Sequence, residues 1–123
     1  MRSLHPTEHQ EQAALIEWCR SQWAVLPELS RLFAIPNGGL RNIVVAKKLK
    51  AEGSRKGVPD LFLPIPRGKY HGMFIEMKRA AGGRISVEQK DWIEFLEEQG
   101  YYTIVAYGWE HARIRIEYYL NLK

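Results

Sequence analysis

The chain has 123 residues, 46% hydrophobic and 26% charged, the size and composition expected of one globular domain over 1–123 and far from those of a disordered chain. Lys and Arg outnumber Asp and Glu by 18 to 14, for a net charge of +4, so a polyanion, nucleic acid first, is the expected partner. A lone cysteine, Cys19, excludes an internal disulfide; no Cys or His pair stands at zinc spacing, and neither a signal-peptide pattern nor an apolar run of the ~18 residues that span a membrane is present, so the expected setting is cytoplasmic.

Thr7, with Gln10 three residues on, has the form of a capping box, and Leu15, Trp18, Cys19 and Gln22 recur behind it at helical spacing. A first helix is predicted there. Residues 31–35 are a short apolar run stopped by Pro36-Asn37-Gly38-Gly39, which predicts a strand entering a turn. A helix over 43–52 follows, ended by Gly53. The runs 59–65 and 72–78 are apolar and bounded by Pro or Gly, so they should pair as a hairpin through the turn Pro66-Arg67-Gly68-Lys69. Ser86 and Gln89 form a second capping box before a helix that Gly100 ends. A strand over 101–107 and a closing helix with the stripe Ala112, Ile116, Tyr119 and Leu120 complete the order α, β, α, β, β, α, β, α. An α/β fold is expected, a mixed sheet flanked by helices.

The chemistry concentrates on the hairpin. Asp60 and Glu76 each place a carboxylate in or beside an apolar strand, and burying a carboxylate costs several kcal/mol unless it is compensated. With a strand period of two, Glu76 and Lys78 share one face while Ile75 and Met77 share the other. Hairpin pairing would set Asp60 beside Glu76, and two adjacent carboxylates call for a cation between them, most simply a hard divalent metal such as Mg²⁺. A half-solvated cross-strand ion pair is the structural alternative.

Pro59-Asp60 followed by Glu76-Met77-Lys78 matches the PD-(D/E)xK signature of restriction-endonuclease-like nucleases. An acidic first helix, Pro36-Asn37-Gly38-Gly39, Gly57-Val58-Pro59-Asp60, Phe74-Ile75-Glu76-Met77-Lys78, Ser86-Val87-Glu88-Gln89 and Gly100-Tyr101, taken in order, resemble the VRR-NUC (virus-type replication-repair nuclease) family over nearly the whole chain. The resemblance implies a restriction-endonuclease-like αβββαβ core and a stand-alone, Mg²⁺- or Mn²⁺-dependent endonuclease acting on DNA. Asp60 and Glu76 would hold the metal, and Lys78 would sit near the attacking water. It also implies a supporting glutamate on the first helix, where Glu11 is preferred and Glu8 is the alternative, four and seven residues before Leu15. Gln89 would reach the phosphate or its water, unless it serves only as a helix cap.

Arg41, Lys47, Lys48, Lys50, Arg55 and Lys56 stand against one acid, Glu52, so this stretch carries the chain's whole excess of positive charge. It is the expected phosphate-tracking surface, with Arg79 and Arg84 adding contacts on the far side. One constellation per chain attacks one phosphodiester at a time, so paired incision of a branched substrate such as a four-way junction would need a homodimer. The rivals are a non-catalytic DNA-binding module, a monomeric nickase of flaps or single strands, and an RNA-directed phosphodiesterase.

Overall fold

The computed structural model describes residues 5–36 and 42–123. Thr7 caps α1 (Glu8–Ser21) with its side chain, and Gln10 returns the bond to the Thr7 backbone. A 3₁₀ turn (Pro27–Arg31) follows, then β1 (Phe33–Ala34), α2 (Ile43–Ala51), β2 (Leu61–Leu63), β3 (Met73–Lys78), α3 (Val87–Glu98), β4 (Tyr102–Tyr107) and α4 (Trp109–Leu120). The element order is the one expected, with two strands shorter. Pro27 opens a 3₁₀ turn that claims Arg31, and Pro36 has no N–H to extend β1. Pro59 and Pro64 likewise bracket β2 and hold it to three residues.

The strands lie in the order β1-β2-β3-β4. β1 with β2 and β2 with β3 are antiparallel, the second pair being the expected hairpin, with Arg67 bridging Tyr70 in its loop. β3 and β4 are parallel, and α3 supplies the crossover that a parallel pair requires. Alternation along β3 then separates two layers. Met73, Ile75 and Met77 point into the main core with Leu61, Leu63, Leu15, Cys19, Leu29, Ala112, Ile116 and Tyr119, which places α1 and α4 on that face. Cys19 is a buried apolar filler, its thiol pushed up to about 12 by burial. Tyr119 is fully buried and its hydroxyl donates to the Ile65 carbonyl at 2.6 Å.

The other face of β3 carries Phe74, Glu76 and Lys78. Phe74 stacks on Phe62 with ring centroids 4.3 Å apart, and Tyr101 packs edge-on against both. This aromatic layer makes one half of the second face apolar, and the polar half begins where the aromatic row stops, at Glu76. Among the described residues no helix is long and apolar enough to cross a membrane.

Candidate active site

Leu61 pairs with Ile75, so one further step of the antiparallel register sets Asp60 opposite Glu76. β2 has not yet begun at Asp60, and the side chain does the work of the missing strand: Asp60 Oδ2 accepts the Met77 N–H at 2.7 Å, while the Asp60 carbonyl accepts from Ile35. Pro59 before it is buried, so the carboxylate is fixed from both directions.

Glu76 is 1% exposed. Its Oε2 accepts from Gln89 Nε2 at 3.0 Å and lies 3.5 Å from Lys78 Nζ. Its Oε1 is buried with no hydrogen-bond partner. Burial pushes the Glu76 carboxyl up to about 9, with the neighbouring Asp60 carboxylate adding to the rise and Lys78 opposing it. An orphaned oxygen beside a second carboxylate is what a proton or a cation would satisfy. Two carboxylates suit Mg²⁺ or Mn²⁺, since such ions take one or two protein carboxylates and leave the remaining positions to water and phosphate oxygens.

Lys78 is 5% exposed and ends β3, its carbonyl accepting the Gly108 N–H. Gly83 folds back over it so closely that an added Cβ would lie 2.9 Å from the Lys78 Cβ. Gln89 unites its two alternative readings. Its Oε1 accepts the Ser86 N–H at 2.8 Å while its Nε2 reaches Glu76, so the cap of α3 and the support of the site are one side chain used at both ends.

The structure does not bring Glu11 to this pair. Its Oε1 accepts the Trp109 N–H at 3.0 Å, closing the start of α4, where Gly108 offers no capping side chain. Among the described residues no three His, Cys, Asp or Glu side chains converge as a metal cluster; the role expected of Glu11 is support through a water, beside its bond to Trp109. Glu8 is exposed in the first turn of α1, a favourable place for a negative charge.

Of the basic residues, Arg41 lies outside the described residues. Lys47, Lys48 and Lys50 are exposed on α2, which buries none of its side chains. Arg55 and Lys56 reach the first turns of α3: the Arg55 guanidinium sits 5.5 Å from the Trp92 ring centre and Lys56 Nζ lies 3.8 Å from Glu88. The basic segment therefore adjoins the helix that carries Gln89. Arg84 is exposed, and Arg79 is half-buried with its Nε unpartnered.

The structure adds one determinant whose role the sequence does not reveal. Gly57 (φ +95°) lies against α3, and a Cβ there would come within 2.6 Å of the Glu88 backbone. The glycine lets the loop before Asp60 seat the helix start that aims Gln89. Gly57→Ala should lower stability by about 2 kcal/mol or more, from left-handed backbone strain plus overpacking, and slow any reaction at the site; thermal unfolding and a rate measurement check both.

The model of the VRR-NUC domain matches residues 6–110. The chain belongs to the VRR-NUC family. A solved VRR-NUC domain protein is similar to it at 31% identity, covering 97% of this chain and 92% of its own, with a TM-score of 0.81. No curated protein matches. VRR-NUC is a nuclease-type family, which makes the protein a nuclease-type hydrolase with DNA as its implied substrate, and the matched stretch contains Asp60, Glu76, Lys78 and Gln89.

Proposed function

We propose that this VRR-NUC protein is a Mg²⁺- or Mn²⁺-dependent endodeoxyribonuclease that cuts branched DNA, such as a four-way junction, as a homodimer. The observation that carries the reading is the Asp60–Glu76 pair, with a buried, orphaned carboxylate oxygen on Glu76 and an ammonium 3.5 Å from its other oxygen. A divalent cation held by Asp60 and Glu76 would supply Lewis acidity toward a phosphate oxygen. The protein's own groups do the rest. Met77 N–H and Gln89 hold the two carboxylates in fixed orientation, so little reorganisation is needed when the substrate arrives. Lys78, shielded from solvent, orients the attacking water and stabilises the negative charge that grows on the phosphate as the bond to the leaving oxygen breaks.

Their exposure on α2 supports a role for Lys47, Lys48 and Lys50 in tracking the backbone of the same DNA. Neutralising Lys47, Lys48 and Lys50 together should weaken duplex binding and flatten its salt dependence by a slope of roughly 0.9 for each phosphate no longer neutralised, as read by anisotropy across a salt series. Support for the dimer is that one chain holds one such constellation, so paired incision by one complex would need a second copy.

The deciding experiment incubates the full chain with single-stranded, duplex, flap and four-way DNA in Mg²⁺, Mn²⁺ or EDTA. Paired, metal-dependent incision of the four-way substrate is expected. Tight binding without cleavage in either metal would turn the reading toward a non-catalytic module, and nicking of flaps by a light-scattering monomer would remove the dimeric part.

A further inference from the structure

An opening of about 660 Å³ lies where the start of α1 meets the start of α4, lined by Gln10, Glu11, Ala80, Tyr107, Trp109 and Glu110. It adjoins the candidate site without sharing its carboxylates. Ala80 is two residues beyond Lys78, and the Gly108 N–H on the rim donates to the Lys78 carbonyl at 3.0 Å. Glu76 and Lys78 leave β3 toward the α3 face, whereas this opening sits on the α1 and α4 side of the same strand ends. Both meet at the carboxy-terminal ends of the parallel β3 and β4, so a DNA strand with a phosphate at Lys78 must turn over that end to bring a neighbouring nucleotide to the opening, as an unpaired nucleotide is free to do.

The lining says what kind of group enters. It holds two carboxylates, Glu11 and Glu110, and no basic side chain, which disfavours a phosphate by plain Coulomb repulsion. It also holds two aromatic side chains, Tyr107, exposed with its ring against His111, and Trp109, half-buried against the core, and aromatic rings are the usual platform for an unstacked base. A neutral, flat group with hydrogen-bond donors on its edge satisfies both conditions. Glu11 is anchored by the Trp109 N–H, while Glu110 is exposed at the rim and available to a ligand.

We infer that this opening receives an unpaired nucleobase next to the scissile phosphate, with guanine preferred. Guanine presents N1–H and N2–H side by side, the pair of donors that one carboxylate accepts together. Thymine presents a single N–H between two carbonyl oxygens, which a carboxylate repels. The inference rests on the nuclease reading and narrows its substrate to DNA with an unpaired base at the cut, as a branch point provides.

The test measures binding of the full chain in EDTA to fluorescein-labelled dT10 and to the same strand with one central guanine or one central inosine, which lacks the N2 amine. Guanine should tighten binding by about tenfold, the span of one good bidentate base pairing by a side chain, and inosine should lose most of that gain. Glu110→Gln should abolish the guanine preference and raise the affinity for dT10, because the carboxylate that repels the thymine carbonyl oxygens is gone. Equal affinity for all three strands, or a guanine preference that survives Glu110→Gln, overturns the base pocket and leaves the nuclease reading standing. No binding to any DNA, single-stranded or branched, overturns both.

Discussion

Glu76→Gln should abolish metal-dependent cleavage and, in EDTA, make the protein more stable at alkaline pH than the parent. On the proposed reading, loss of a carboxylate that would hold the cation removes several kcal/mol of charge stabilisation, a rate loss of roughly a thousandfold or more. The stability effect follows from proton linkage. The Glu76 carboxyl is raised from its ordinary 4.5 to about 9 by burial and by Asp60. Between those values the folded protein keeps a proton that the unfolded chain has released, so stability is full below 4.5 and falls as pH rises through 9. A glutamine cannot titrate, and its amide adds no charge to the pair, so that slope disappears. Urea unfolding at pH 5, 7 and 9 reads it directly. Adding Mn²⁺ should flatten the slope in the parent, where the cation replaces the proton, and do nothing for Glu76→Gln. An unchanged slope in the variant would show that the carboxyl is not what loses the proton.

How far this pair is legible in the sequence depends on what kind of interaction makes it. Asp60 and Glu76 fall together because Pro and Gly bound two apolar runs that pair antiparallel, the Arg67–Tyr70 bridge closing the connection between them. The alternation of Ile75, Glu76, Met77 and Lys78 then assigns the faces correctly, since a side-chain period of two tolerates no drift. Glu11 is the opposite case. Helical spacing puts it on the buried side of α1, and it is buried, but spacing does not say which element that side meets 98 residues further along the chain. The clue lies in α4: Gly108 stands where Ser, Thr, Asp or Asn would cap a helix, and a start without its own cap needs an acceptor from elsewhere. Gln89 shows a limit of another sort. Capping and site roles look exclusive in the sequence, yet an amide has two ends, and both are used.

Lys78→Met should lower the cleavage rate by about a hundredfold to a thousandfold while leaving DNA affinity in EDTA within about twofold. The two readouts separate because a 5% exposed ammonium at the foot of the site adds little to long-range attraction compared with the exposed lysines of α2. Its charge matters most when negative charge concentrates on the phosphate, which happens only along the reaction path. Methionine keeps most of the volume under Gly83, so the fold should survive where alanine would leave a cavity. A second, independent signature is the pH profile. Lys78 now opposes the rise in the Glu76 carboxyl, so without it the proton is held more tightly and a divalent cation competes less well at any given pH. The residual activity should therefore reach its half-maximum at higher pH than in the parent, and the Mn²⁺ needed for half-activation at neutral pH should increase. Lys78→Arg should restore the profile, since the charge returns, but not the full rate, since a planar guanidinium does not reproduce the compact ammonium of this 5% exposed side chain. A rate loss with an unshifted profile would assign Lys78 to the phosphate alone, with no hold on Glu76.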